Sequence, residues 1–197
     1  MAHEEMQITR RDIAKSEIEA SIDLLRKWNV VAAHVLAFSA KAILRGVAKA
    51  EGIETIDDRF EDYIKDEFVK DWRKRLYDDY NVFKHSNEDP TKKLETFRPE
   101  STAIAIFTTV VNYQVIYKAW SLPMAIYYAW FLSRHPSWAK GELIKALESW
   151  KTAFPGAADK PLQESIATAN EFFHMANEYP HLVAERIPQT AAIKLEL

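Results

Sequence analysis

The amino-acid sequence predicts an all-α protein folded as one helical bundle of about seven helices. Its 197 residues include only four glycines, so few positions can adopt the left-handed turns that β-hairpins require. Apolar residues recur instead at helical intervals of three and four along most of the chain. The length and a hydrophobic content of 48% suit one sizeable core. We therefore expect a single domain over residues 9–183, between a disordered tail at 1–8 and a C-terminal tail at 184–197.

The composition also removes several classes of function. The chain has no cysteine, which excludes disulfides, thiolate metal sites and cysteine nucleophiles. A net charge of −3 gives no general attraction to nucleic acid, so any such contact must come from a local basic patch. The N-terminus lacks the apolar core of a signal peptide, and polar residues such as Asn112 and Lys118 interrupt the apolar stretch 103–132. We expect a cytoplasmic protein without a membrane span.

Two helices are expected at the start of the chain. Thr9 can cap the first, with Asp12 in the place of the acid of a capping box. Asn29 offers a break, and a second helix then runs from about residue 30 to 51, with Gly52 as its C-terminal stop. Alanines on this second helix leave little side chain between backbones, so we expect it to be central.

The strongest helical signal lies between Asp66 and Pro90, after a connection and short helix at 53–64 that Thr55 or Asp57 could cap. Its apolar residues fall on one stripe, and a polar shoulder lies beside it. The stripe consists of Val69, Trp72, Leu76, Tyr80 and Phe83, and the shoulder of Lys70, Arg73, Tyr77, Asn81 and Lys84, with His85 a little further round.

The second half of the sequence, after a surface loop at 91–99, predicts four more helices. The first runs from Ser101 or Thr102 to about Trp120, and the next covers 122–133 after a bend at Pro123. Both are hydrophobic on too many sides to face water alone, so we expect them inside the bundle or at a subunit contact. Their aromatic residues suit a core or homodimer interface better than an apolar ligand pocket. Helices at about 139–153 and 161–177 follow.

One candidate site lies at the end of the long helix. Asn81 and His85 are one turn apart, and Lys84 adds a cation beside them. Such a trio could hold a phosphate or a nucleobase edge, and the histidine could transfer a proton near neutral pH. The competing interpretation is that Asn81 and His85 only satisfy the helix end and anchor the turn that follows.

The same residues carry a family resemblance. The alanine-rich helix AAHVLAFSAKAILRG, followed later by YNVFKHS, is similar to the HEPN superfamily of small helical bundles. YNVFKHSNEDP also resembles a segment of uncharacterised bacterial proteins, approximately NFFKHADRDP. The resemblance covers roughly residues 10–130. It implies an up-and-down helical core, a homodimer, and a cleft in which arginine and histidine from two subunits cleave RNA without metal.

The arginine of that motif has no counterpart at the expected spacing before His85. Those positions hold Asp78, Asp79 and Tyr80, none of which is a fixed cation. Arg75 lies ten residues before the histidine, about 15 Å along a helix axis, so only another subunit or another geometry could bring it close.

Three hypotheses of function follow. The first is a nucleotide- or RNA-associated regulatory module with an incomplete catalytic motif, in which Arg73, Tyr77, Asn81, Lys84 and His85 contact the ligand. The second is a metal-independent ribonuclease in which His85 acts with Arg75 or Arg73. The third is a non-catalytic bundle that binds another protein or dimerises. None requires a cofactor.

Two further features favour structural roles. Glu171 and His174 have the Glu-x-x-His spacing of di-iron bundles, but a second copy is missing, so we predict no metal site. His34 lies on the small-residue face of the second helix and would approach Asn81 and His85 if the two helices packed together. A lone buried histidine is more often structural.

Overall fold

The computed structural model describes residues 7–58, 97–138, 143–186 and 194–196. These residues form a bundle of α-helices with one short pair of strands, which confirms the predicted all-α, single-domain fold. The elements, in chain order, are α1 (Arg10–Arg26), α2 (Val30–Glu51), α3 (Pro99–Tyr117), β1 (Ala119–Ser121), α4 (Leu122–Arg134), α5 (Leu143–Ala153), α6 (Leu162–Ala167), α7 (Asn170–Glu178), α8 (Pro180–Arg186) and β2 (Lys194–Glu196).

The first two helices begin, and the second also ends, where their capping residues predict. The Thr9 hydroxyl accepts from the backbone N–H of Asp12, and the Asp12 carboxylate accepts from the N–H of Thr9, which completes the capping box. Asn29 caps α2, and Gly52 ends it in the left-handed region at φ 66°. Trp28 takes a positive φ of 60° in the tight turn between them, so α1 stops at Arg26, slightly earlier than its apolar pattern suggested.

The central position of α2 is also confirmed, because it packs against both α1 and α3. The Thr109 hydroxyl on α3 lies 2.7 Å from the Ala105 carbonyl of its own helix and 3.3 Å from the Ala37 carbonyl on α2, so its one proton is shared between them. A side chain this short reaches a neighbouring backbone only where the helices approach closely. The alanines of α2 allow that approach.

The helices α3 and α4 form the interior of the bundle. Phe107 stacks on Phe131 with their ring centroids 4.1 Å apart, and both are buried. The Tyr127 hydroxyl donates to the Ala103 carbonyl at 2.9 Å. The prediction that α3 continues to Trp120 is wrong, because Lys118 adopts a left-handed φ of 53° and the next three residues are extended.

The C-terminal elements close over this interior. The helix expected at 161–177 is divided into α6 and α7, and the Trp130 indole on α4 donates to the Ser165 carbonyl in α6 at 2.9 Å. Val183 and Ala184 of α8, a helix that the sequence pattern did not indicate, join the core. β2 pairs in parallel with β1, with Ala119 opposite Lys194.

Candidate functional site

The residues predicted to contact a ligand all lie outside the described residues. They are Arg73, Arg75, Tyr77, Asn81, Lys84 and His85, within the predicted helix 66–85, and they stay predictions. The part of the chain that the structure does describe contains a different concentration of buried polar groups, located between α2, α3 and the turn at 55–58.

One face of α2 supplies two members of this polar cluster. His34 and Lys41 are seven residues apart, which places them two turns apart on the same side of the helix. Both are buried, and Phe38 lies between them. The Lys41 ammonium is 5.5 Å from the centroid of the Phe38 ring, and the His34 ring is 4.8 Å from it, centroid to centroid. Two polar residues therefore lie among apolar ones on the inward face of α2.

The Lys41 ammonium forms a buried ion pair. Its Nζ lies 2.7 Å from Oδ1 of Asp57, and the two side chains are only 5% and 15% exposed. Asn112 on α3 donates from Nδ2 to the other carboxylate oxygen of Asp57 at 2.8 Å, while its own Oδ1 accepts from the backbone N–H of Ile56 at 3.0 Å. Burial lowers the pKa of Lys41, and the charge of Asp57 opposes that shift. The pair fixes the turn at 55–58 against both helices.

His34 makes the second connection between α2 and α3. Its Nδ1 lies 3.2 Å from the Thr102 hydroxyl, which is 3.3 Å from the Val30 carbonyl. The Phe97 ring meets the imidazole edge-on at 5.5 Å. Burial, with a smaller effect from the charge of Lys41, lowers the pKa of His34 from 6.5 to about 4. The imidazole is therefore neutral at physiological pH and acts as a polar core residue.

The cluster contacts the chain on both sides of the stretch 59–96. Asp57 enters it just before that stretch, and Phe97 meets His34 just after it. Thr55 and Asp58 stabilise the turn between them, because both the backbone N–H and the hydroxyl of Thr55 donate to the Asp58 carboxylate, at 2.9 and 2.8 Å. The residues that flank the segment with the predicted ligand contacts, Asp57 and Phe97, thus both contact this buried polar cluster.

Chemically, these groups anchor the fold. The Thr102 hydroxyl and His34 lie within hydrogen-bond reach, as a nucleophile and its base must, but both residues are 0% exposed, so a substrate has no access to them. A buried, hydrogen-bonded ion pair instead fixes one arrangement of the surrounding elements. Sequence reasoning found His34 but missed Lys41, although its seven-residue spacing on the small-residue face was a usable signal. Asp57 was expected only as a possible helix cap and Asn112 only as a polar interruption of an apolar stretch, so neither indicated a contact with Lys41.

The remaining candidates lie in structural positions. Glu171 and His174 are exposed on α7, and His174 Nε2 is 3.2 Å from a carboxylate oxygen of Glu178. Within the described ranges, no group of three or more His, Asp or Glu side chains is arranged to hold a metal ion. Most of the aromatic residues of α3 and α4 are buried in the monomer core, where Tyr113, Tyr127 and Trp130 are fully enclosed.

One described helix, α2, is long and apolar enough to cross a membrane. Core helices of soluble proteins often have the same length and composition, so this is weak evidence for a membrane span. Comparisons with protein-family models, curated proteins and solved structures give no match to this chain. The fold and the buried cluster define it as a single-domain, all-α helical bundle.

Proposed function

We propose that this chain is a HEPN-like, nucleotide- or RNA-associated binding module whose catalytic motif is incomplete. The observation that carries the proposal is the segment with Asn81, Lys84 and His85, which has acidic residues and a tyrosine where an arginine would complete the motif. An ammonium, an amide and an imidazole at helical spacing are suited to a phosphate or a base edge.

The fold supports this proposal in two ways. The first is that the all-helical bundle, with a small-residue α2 between α1 and α3, agrees with the architecture that the resemblance implies. The second is the buried cluster, because Asp57 contacts Lys41 and Phe97 contacts His34. These contacts fix the chain on either side of the segment with the proposed ligand contacts. A binding segment held at both ends loses less conformational entropy when it meets its ligand.

A binding assay tests the proposal directly. Fluorescently labelled single-stranded RNA and a panel of nucleotides would be titrated with the full chain, and binding followed by anisotropy and by thermal unfolding. We expect the unfolding temperature to rise with ligand concentration, as for any ligand that binds only the native state. Lys84→Met and Asn81→Ala should weaken binding, whereas Lys27→Met, which removes a lysine that is 70% exposed just after the end of α1, should not.

The same samples discriminate the two alternatives. The ribonuclease alternative predicts that the parent chain cleaves the labelled RNA in a reaction that is abolished by His85→Ala and by either Arg75→Ala or Arg73→Ala. That result would identify a ribonuclease and refute the proposal that the catalytic motif is incomplete. The absence of any binding or thermal shift across the RNA and nucleotide panel would refute the ligand-binding function and leave a protein-interaction bundle.

A further inference from the structure

The strand β1 places extended backbone inside an otherwise helical interior. Its three residues follow the left-handed Lys118 between α3 and α4, and they are only 3%, 7% and 2% exposed. A helix satisfies its own backbone N–H and C=O groups, but an extended segment needs another strand to do so. Within the described ranges, β2 alone supplies that strand, pairing in parallel with Ala119–Ser121. The bundle therefore contains a backbone edge whose occupant must be an extended peptide segment.

The bundle holds β1 firmly in place through its middle residue, Trp120. The Trp120 indole donates to the Val110 carbonyl on α3 at 3.2 Å, and its ring lies 4.5 Å from that of Tyr128 on α4, centroid to centroid. Both flanking helices therefore fix the position of the strand. A strand that is fixed before its partner arrives loses little conformational entropy on pairing, which favours binding.

The strand that occupies this edge is attached weakly. β2 consists of Lys194–Glu196, 75 residues further along the chain, and its main contacts in the described ranges are with β1 and α4. Only three residue pairs join the two strands, and parallel pairing is slightly less stable per residue than antiparallel pairing. Even a hairpin of two strands is only marginally stable by itself. Releasing β2 from β1 therefore requires much less free energy than unfolding the bundle.

The last residue of β1, Ser121, has a hydrogen-bonding capacity that β2 leaves unused. Its side chain is buried, and its Oγ has no hydrogen-bond partner among the described residues. Ser121 also occupies the N-cap position of α4 without making a capping bond. A buried hydroxyl without a partner destabilises a protein, so its presence needs an explanation. Residue 196 lies opposite Ser121, and paired residues project to the same face of a sheet, so a strand with a suitable side chain at this position would satisfy the hydroxyl.

We propose that β1 is a docking site for an extended segment of a protein partner, and that Lys194–Glu196 fills this site as an internal ligand that the partner displaces. The partner strand pairs with β1 in parallel, as β2 does, and adds main-chain hydrogen bonds to an exposed strand edge once β2 has left. It carries an apolar residue opposite Trp120, where β2 has Leu195, and an amide or hydroxyl side chain opposite Ser121. This docking needs neither the proposed RNA or nucleotide contacts nor the family resemblance.

A reversible lock on β2 tests the docking site, since the chain has no cysteine of its own. Ala119→Cys with Lys194→Cys joins two paired positions, and neighbouring strands lie about 5 Å apart, within disulfide reach. The probe is a fluorescently labelled peptide with the sequence of residues 190–197, TAAIKLEL, apart from Glu196→Gln, and a scrambled peptide is its control. We expect anisotropy to show no binding to the oxidised variant and restored binding after reduction, while the reductant leaves binding to the parent chain unchanged.

Releasing β2 gives the second test. Replacing Lys194, Leu195 and Glu196 together with proline removes every backbone donor of β2, whereas Lys194→Ala with Glu196→Ala keeps these donors and is the matched control. A tethered segment competes at an effective concentration on the order of millimolar, so the proline variant should bind the peptide at least about tenfold more tightly than the parent, and the alanine control should bind as the parent does. Adding Ser121→Ala to the proline variant should abolish its preference for the Glu196→Gln peptide over a Glu196→Ala peptide.

Three results would overturn the proposal. The first is equal peptide binding by the oxidised and reduced lock, which decides the matter even where the proline variant fails to fold. The second is a proline variant that keeps its helical circular dichroism and thermal unfolding transition but does not bind the peptide. The third is a parent chain that forms dimers in sedimentation which the proline variant cannot form, because exchange of β2 between two copies would assign the site to a second copy. A peptide preference that survives Ser121→Ala would overturn the contact with the Ser121 hydroxyl.

Discussion

Replacing Lys41 with methionine should be among the most destabilising single changes in the bundle. The substitution keeps the length of the side chain but removes the ammonium 2.7 Å from Asp57, whose carboxylate is 15% exposed and retains the amide of Asn112. Breaking a buried pair by removing one partner costs about 3–5 kcal/mol, because the other charge is left uncompensated. That is a large share of the roughly 5–15 kcal/mol that stabilises a typical domain.

Urea unfolding followed by circular dichroism measures this loss, and two further variants define its cause. Lys41→Met with Asp57→Asn removes both charges while leaving an acceptor for Asn112, so it should recover at least about 2 kcal/mol of the loss. Lys27→Met breaks an ion pair of 2.6 Å between exposed side chains and should cost under about 1 kcal/mol. If Lys41→Met costs no more than Lys27→Met, or if the double variant recovers none of the loss, the buried pair does not anchor the 55–58 turn.

Three other changes have outcomes that the structure specifies. His34 has a folded-state pKa of about 4, below its usual 6.5, so its contribution to the free energy of unfolding is intact above pH 6.5 and is lost as the pH falls towards 4. Between these pH values the free energy of unfolding of the parent should fall by roughly 3 kcal/mol more than that of His34→Gln, because glutamine does not titrate. Urea unfolding at both pH values measures this difference. Tyr127→Phe removes a buried hydroxyl that donates to the Ala103 carbonyl and should cost about 1–2 kcal/mol in the same assay. Arg134→Met removes donors to two backbone carbonyls beyond α5, at 2.7 and 3.2 Å, and should lower the unfolding temperature by several degrees, with Lys151→Met, in an exposed pair, as its control.

The sequence predicted the features of the fold that local chemistry determines. Thr9 and Asp12 form a capping box because a hydroxyl and a carboxylate three residues apart satisfy free N–H groups at any helix start. Gly52 ends α2 because glycine alone takes a left-handed φ without strain. Both features depend only on neighbouring residues, so the sequence predicts them without information about the rest of the chain.

The features that were missed depend on distant neighbours. Lys118 takes a left-handed φ and ends α3 early, and the extended residues after it pair with a strand 75 residues further along the chain. The ion pair between Lys41 and Asp57 is equally invisible, because an aspartate in a connection has no periodicity to indicate its partner. The candidate ligand residues are a different case, since Asn81, Lys84 and His85 were chosen from spacing and resemblance and stay predictions.

The inward face of α2 carries two polar side chains where apolar ones would pack without a desolvation cost. Lys41 and His34 are buried there, and their contacts with Asp57 and Phe97 hold the chain on either side of residues 59–96. Replacing a buried ion pair by apolar residues of similar volume is often neutral or stabilising, so the stability of the bundle does not by itself explain the burial of these groups. Their desolvation cost is explained if they fix one arrangement of the two chain ends that flank the proposed binding segment.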